Sequence, residues 1–533
     1  SIPMLVLSGQ VRYDTTARST GLPLRAMGDQ EFDITKSAAA MTKYAEMIVN
    51  PLDIRYCLEK ALYVATHGRP GPCWLDIPLN VQGGYVETDE LRGFNPDECE
   101  EILAPHVSDD VVDEIIDKIK NAERPVFYAG NGIRISGGYD SFTKVVELLG
   151  IPVATCWDSI DAIYDEHPYY VGRGGIMGDR AGNFAVQNSD LVFAVGNRLS
   201  IRQVGYSWTT WAREAYVIMN DVDEAELKKP TLHVDMPVWA DAKELLEKLL
   251  AKLTKMKEAG EFKDTLSGKS DWVKRCQDWK AKYPVVLPKH YEDKNHTNVY
   301  AFIKELSTRL HENQVTVVGN GSACVVGSHG YVIKKGQRFI INSAIASMGY
   351  DLPAAIGAVV AEFGDEALYG HSLGKDIDDV ILVTGDGSIQ MNIQELQTII
   401  HHKMPIKIFI INNQGYHSIR QTQTNLFNKH FVGIGPQSGD LSFPDMSKLA
   451  PAYGYPYFSC DGNEHLGKAI EDTLAVDGPA ICEIFVSTEQ NFEPKSATKR
   501  LPDGTLVSPP LEDLGPFLDR DEFYSNMIIK PLS

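Results

Sequence analysis

The sequence predicts an α/β fold of three consecutive doubly wound domains, each on a parallel sheet. Three observations carry that expectation. The 533 residues suffice for three or four domains at roughly 150 residues each. Short apolar runs of strand length alternate with helical patterns along the whole chain. The runs are apolar on both faces, which is the pattern of strands covered by helices above and below.

The elements follow in order. Met4-Leu5-Val6-Leu7 reads as a buried strand that begins almost at the first residue. His67-Gly68-Arg69-Pro70-Gly71-Pro72 is dense in turn formers and leads into a second strand, Cys73–Pro78. These lie in a first domain, residues 1–108. A second domain, 109–255, carries strands at Val126–Ala129, Ile151–Ala154 and Leu191–Val195. Lysine-rich residues 252–282 read as a helical connector over the surface, and the connector between the second and third domains is placed at 256–297. The third domain, 298–533, has strands at Val315–Val318, Val380–Val383 and Ile406–Ile411. No short-period repeat interrupts this order.

Composition excludes several function classes. With 51 Lys and Arg against 72 Asp and Glu, the net charge is −21, which opposes binding to nucleic acid phosphates. No apolar run approaches the ~18 residues of a membrane span. The eight cysteines are scattered without a C-x-x-C pair, a pattern of reduced thiols and a cytoplasmic location.

The strongest chemical signal is Gly385-Asp386-Gly387-Ser388, directly after the strand Ile381–Thr384 and before a helical run at Asn392–Ile400. A glycine turn at a strand's carboxyl end, opening into a helix, offers N–H groups and a positive dipole to a phosphate. Asp386 supplies a hard carboxylate oxygen for Mg²⁺. Asn413 adds an amide oxygen from the next strand's end, and the Gly415 carbonyl completes the protein's share of an oxygen shell. His401 and His402 sit at a helix end, where cations suit the dipole, and read as structural. Cys324 reads as a small buried side chain.

This turn, its spacing and Asn412-Asn413 resemble the cofactor motif of thiamine diphosphate enzymes. Ser347–Ala358, the opening Ile2–Gln10, Gln30-Glu31 and Gly68–Pro72 resemble the acetolactate-synthase-like members, from end to end though more weakly in the middle. The resemblance implies a pyrimidine-binding, a central and a diphosphate-binding domain in that order. It implies that Met348 wedges the cofactor into a bent shape, that Gly321 and Ser322 face the diphosphate, and that Gln30 approaches the substrate. Tyr416, His417 and Arg420 become acceptor-side candidates, with Tyr416 also near the cofactor and His417 among the catalytic candidates. The family's activating glutamate and a glycine-rich loop lie upstream of the segment matching Ser1, so the sequence reads as a fragment whose first domain is truncated.

The function implied is a ThDP- and Mg²⁺-dependent carboligase that decarboxylates a 2-oxo acid, pyruvate first, and transfers the acyl unit to a carbonyl acceptor. A homodimer or homotetramer is expected. The alternatives are a ThDP-dependent C–C lyase or hydrolase, and a non-catalytic paralogue. Leu79-Asn80 and Thr422 depart from acetolactate synthases, which carry Lys-Asp and a Trp there. With the Pro-rich tail 492–511, read equally as a lid or a packed strap, they resemble the surface-polysaccharide branch and imply a ketosugar nucleotide as acceptor, its phosphates on Arg420. The central domain lacks a G-x-G-x-x-G fingerprint, since Met177 stands at its last glycine. Similarity to the acetolactate synthase group nevertheless implies FAD across this domain, with Arg198 and Asp221 as contacts.

Overall fold

Fifteen strands in three parallel sheets order a computed structural model that describes residues 1–293, 295–364, 378–497, 499–500 and 503–532. The first sheet has three strands, β1 (Met4–Gln10), β2 (Tyr44–Met47) and β3 (Pro72–Pro78), with β3 in the centre. The second has six: β4 (Pro125–Ala129), β5 (Val153–Thr155), β6 (Tyr170–Arg173), β7 (Leu191–Val195), β8 (Tyr216–Asp221) and β9 (Met236–Trp239). The third comprises β10 (Val315–Val318), β11 (Arg338–Ile341), β12 (Val380–Gly385), β13 (Ile406–Asn412), β14 (Tyr457–Asp461) and β15 (Ala480–Phe485).

Strand order decides where a ligand can sit. The second sheet runs β6-β5-β4-β7-β8-β9, so the chain builds outward from β4 in one direction and then returns to β4's other side. The third runs β11-β10-β12-β13-β15-β14, with the same reversal between β10 and β12. At such a reversal the loops leaving adjacent strands turn apart and open a crevice beyond the strands' carboxyl ends.

Burial explains the strands. Every residue of β4, β5, β6 and β7 is buried, as is all of β13 except Asn412, which is half-buried. These runs are apolar on both faces because helices cover both. The helix Asp109–Asn121 has Ser108 as its cap, accepting from the Val111 amide, and turns Val112, Ile115, Ile116 and Ile119 inward at helical spacing.

Two expectations change here. Residues 252–282 are not a surface connector: Ala242–Glu258 packs into the second domain's core, and Ser270–Lys282 buries Trp272, Cys276 and Trp279 against the helix Arg180–Gln187. Each buried tryptophan is worth on the order of 4 kcal/mol of apolar burial, which outweighs the solvation of the lysines alternating with them. The tail is a strap. Glu512 is buried against Arg213 at 2.7 Å and Gln187 at 2.5 Å, Ser508 accepts from Ser207, and Asn526 accepts from the Trp279 indole at 2.9 Å. Residues 508–530 thus lie on the second domain rather than over the third, and Leu501 and Pro502 lie outside the described residues. All eight cysteines are buried and unpaired.

Candidate active site

The loops leaving β10, β12 and β13 converge at the third sheet's crevice. Asp386 is buried immediately past β12. Its Oδ1 accepts from the Gly387 amide and its Oδ2 from the Gly415 amide, both at 2.9 Å, so one carboxylate ties the β12 turn to the β13 loop. Burial pushes this carboxyl up to about 7, against the pull of those two amides and of Arg420. Asn413, also buried, donates its Nδ2 to Ser322 Oγ at 3.0 Å and thereby brings in the β10 loop. Its Oδ1 is buried without a hydrogen-bond partner among the described residues. An orphaned amide oxygen costs about 1–3 kcal/mol, and a cation held between it and Asp386 would offset both penalties.

Gly415 adopts φ 126°, and a Cβ there would lie 1.8 Å from the Ile434 carbonyl, so only glycine allows this loop to turn. At Gly321 and Gly385, by contrast, a Cβ would meet nothing within 4 Å among the described residues. That open space is room for a group carrying phosphate. Ser322 opens the helix Ser322–Gly330, whose amide end faces the same loop cluster. Among the described residues no trio of His, Cys, Asp or Glu could hold a metal. The donor set of one carboxylate, one amide oxygen and main-chain carbonyls is that of a hard cation sharing its shell with a ligand.

The remaining residues fall into place unequally. Ser388 Oγ accepts from the Gly349 amide at 2.9 Å, which sets half-buried Met348 beside the turn. Tyr416 is half-buried, its ring edge-on to Phe443, and a Cβ on Gly387 would come within 2.4 Å of it. After Ser388 the chain makes a 3₁₀ turn, Ile389–Asn392, and the α-helix starts only at Glu395, so the predicted helix dipole behind the turn comes from Ser322 instead.

His417 is buried, its Nε2 2.6 Å from the Gln490 carbonyl and its ring edge-on to Phe492; burial lowers its pKa to about 4. This neutral ring holds the chain after β15. Arg420 departs from expectation: buried, it donates to the carbonyls of Asn413 at 2.9 Å and Gln414 at 2.7 Å, and so braces the β13 loop instead of awaiting a phosphate. Gln30 lies exposed on a loop of the first domain at φ 62°, with no hydrogen bond to the others among the described residues.

A second crevice opens at the β4–β7 reversal, a cavity of about 630 Å³ where all three domains meet. Arg198 and Asp221 both line it, with Arg202 and Asn197. Asp221 accepts from the Asp223 amide at 2.9 Å, and burial raises its carboxyl to about 6. Arg69 of the first domain closes one side, bonded to Asp223 at 2.9 Å and Glu226 at 3.1 Å. Gly172 and Arg173, the first residues of the glycine-rich run Gly172–Gly178, belong to edge strand β6. Buried Arg173 clasps the third domain through the carbonyls of His329 and Tyr331, at 2.5 and 2.6 Å. Glycines in that run had masked the strand.

Sequence reasoning also missed Thr384 and Asp351, whose side chains bond each other beneath the turn. An aspartate opening a hydrophobic helix was the available signal.

Known proteins give the same reading. Residues 112–249 match the family model for the thiamine pyrophosphate enzyme central domain, and residues 319–484 match that for the C-terminal TPP binding domain. The chain is 28% identical over 508 residues to an acetolactate synthase large subunit of Cyanidium caldarium, covering 93% of this chain and 79% of the relative. It is 28% identical over 524 residues to a probable acetolactate synthase large subunit of Methanocaldococcus jannaschii, covering 95% and 79%. With the isozyme 2 large subunit of Escherichia coli it shares 27% identity over 522 residues, covering 96% and 84%. Two matched domains in the right order, over sheets whose crevices carry the matching residues, establish that the chain belongs to the thiamine-diphosphate-dependent enzymes, and the relatives it resembles are acetolactate synthase large subunits.

Proposed function

We propose that the protein is a Mg²⁺-dependent carboligase that removes CO₂ from a 2-oxo acid, pyruvate first, and joins the acyl unit to a second carbonyl compound. The observation that carries this reading is the pairing of buried Asp386 with the orphaned Asn413 Oδ1 beside open glycine positions. Asp386, Asn413 and the Gly415 carbonyl would hold the metal. Gly321, Ser322, Gly385, Gly387 and Ser388 would take the diphosphate, and Met348 and Tyr416 would bear on the rings. When bound, thiamine diphosphate supplies an electron sink for the charge left as CO₂ departs. His417 keeps Gln421 and the Gln490 segment in place, since Gln421 Nε2 reaches both His417 and the Gln490 carbonyl, and Gln30 would meet the substrate from the first domain.

The acceptor is best read as a second small carbonyl acid. Arg420 is committed to the backbone, which removes the phosphate contact on which a ketosugar nucleotide depended. Thr422 is exposed on the same helix, tied among the described residues only to the Ser418 carbonyl, and leaves the acceptor side roomy.

The 630 Å³ cavity we infer to be a flavin site, supported by Arg198 and Asp221 lining it together and by a strand order shared with dinucleotide-binding sheets. Exposed Leu7, Leu22, Leu24 and Phe32 on the first domain support coverage by a second copy, as a dimer or tetramer. Eight unpaired cysteines suit the cytoplasm. No described helix is long and apolar enough to cross a membrane.

The test is CO₂ release from pyruvate by the purified protein with Mg²⁺ and thiamine diphosphate, with the carbon products analysed. Release with a longer carbon skeleton is expected. Two shorter fragments from a diketone, with no release from pyruvate, would move the reading to a lyase. Failure to bind the cofactor at all would overturn the assignment of the site and leave a non-catalytic paralogue.

A further inference from the structure

We propose that Asp351 is a positioning residue that couples the metal-holding turn to the Met348 segment. The inference rests on the reading of Gly385–Ser388 as a metal-diphosphate turn. Asp351 opens the helix Asp351–Phe363 and is completely buried. Among the described residues it forms no ion pair with a cation. Its Oδ2 accepts from the hydroxyl of Thr384, the residue just before Gly385, and its Oδ1 accepts from the Leu352 amide at 3.2 Å. Burial holds the carboxyl above its ordinary range, while the Thr384 and Ser388 hydroxyls pull it back.

Three strand exits meet at this carboxyl. From β12 comes Thr384. From β10 comes Gly319, whose amide donates to the Val383 carbonyl at 2.8 Å. A Cβ on Gly319 would lie 2.1 Å from Asp351 Oδ2, so the β10 loop has been shaped around this carboxyl. From β11 comes the segment that ends in Met348, Gly349 and Tyr350.

That last segment is tied to the turn twice. Asp351 grips Thr384 on one side of Asp386, and the Gly349 amide donates to Ser388 Oγ at 2.9 Å on the other. Asn392 adds a bond to the Gly349 carbonyl at 2.7 Å. The bulky residue at 348 and the carboxylate at 386 therefore keep a fixed mutual position, although 38 residues separate them in sequence. A buried carboxyl without a cation partner costs stability. Here it provides the register between two loops that act on the two ends of one cofactor.

The experiment is calorimetric titration of thiamine diphosphate, with Mg²⁺ in excess, into the full chain and into Asp351→Ala, Thr384→Val, the double variant and Thr384→Ser. Each of the first two is expected to weaken binding about tenfold or more. The double variant is expected to match the weaker single one within about twofold, because both changes break one link. Thr384→Ser keeps the hydroxyl and is expected to bind like the parent. Melting of the cofactor-free forms checks folding, and Thr384→Val probes the link from the side that leaves the carboxyl in place. Parental affinity in Asp351→Ala, or losses that multiply in the double variant, would overturn the proposal. If the parent chain itself binds no cofactor, the reading of the turn fails instead.

Discussion

The two six-stranded sheets solve one topological problem and line the result with opposite chemistry. In each, the strand order reverses once and the loops at the reversal open a crevice. At the β4–β7 crevice the glycines face each other. A Cβ on Gly130 would lie 2.1 Å from the Gly196 carbonyl, and one on Gly132 would lie 2.7 Å from the Gly196 Cα. There glycine lets two main chains touch, and arginines and Asp221 line a wide cavity. At the β10–β12 crevice the glycines divide: a Cβ on Gly319 would lie 2.1 Å from Asp351 and one on Gly387 2.4 Å from Tyr416, whereas Gly385 and Gly321 face open space, and the loops there carry buried Asp386 and the orphaned Asn413 Oδ1. A glycine loop at a strand end is thus ambiguous by itself. What its missing Cβ would strike tells only whether neighbouring atoms pack against it; Gly387, packed on Tyr416, and Gly385, in the open, lie in one turn.

The largest expected effect separates the crevices outright. Asp386→Ala should weaken Mg²⁺-dependent binding of thiamine diphosphate at least about a hundredfold, while the flavin binding proposed for the other crevice is expected to stay unchanged; equilibrium titration with each compound reads this. Equal loss of both would mean the two crevices are one cooperative site.

Next comes the glycine contrast. Gly196→Ala, at φ 55° with its Cβ 2.7 Å from the Ile133 amide, should destabilise the cofactor-free protein by about 3 kcal/mol. Gly385→Ala should leave it within about 1 kcal/mol, yet weaken diphosphate binding. Chemical denaturation checks the first and calorimetry the second, and similar melting behaviour for both variants would break the comparison.

Asp221 sharpens it by pH. Its folded pKa is raised from 3.8 to about 6, so ionisation is disfavoured in the folded state. Its contribution is fully present below the unfolded value and is lost as pH rises through the folded one. Asp221→Asn keeps an oxygen for the Asp223 amide. It should be more stable than the parent above pH 7, by up to about 3 kcal/mol, with the gap closing below pH 4. A gap independent of pH would mean that burial does not act on this carboxyl.

The smallest effect is expected on the helix that follows β13. Exposed Thr422 should accept Trp within about 0.5 kcal/mol of stability while the ratio of products from competing acceptors shifts; an unchanged ratio would remove residue 422 from the acceptor side.

How much was legible in the sequence differs between the same two regions. In the third domain, β10 emerges with its predicted bounds, β12 and β13 extend one or two residues past theirs, and β11, β14 and β15 went unread; the residues of its motif, Asp386, Gly415, Asn413 and Ser322, are joined by hydrogen bonds. Continuous apolar runs and a turn with fixed chemistry give a local signal that tertiary structure does not override. In the second domain, β7 has its predicted bounds, but β6, β8 and β9 went unread. Gly172 interrupts the first, Asn220-Asp221 ends the second in polar residues, and Pro237 breaks the third. Arg420 was misread because its partners are carbonyls, and carbonyls carry no sequence signature. The tail's destination was illegible for a related reason: Glu512 finds Arg213 across 299 residues, and nothing local announces such a pairing.

The strap makes the order of the chain differ from the order of its mechanical parts. Residues 508–530 follow the third domain in sequence but finish the covering layer of the second, beside Trp279 and Phe184. The third sheet is therefore a loop of chain whose two ends are both moored to the same neighbour. Pulling that sheet away strains two chain connections as well as the Arg173 clasp, whereas a protease cut between 486 and 508 would leave one connection and that clasp. A fusion joined at residue 530 would load the second domain, and an excised third domain would leave its neighbour with Trp279 bared to water.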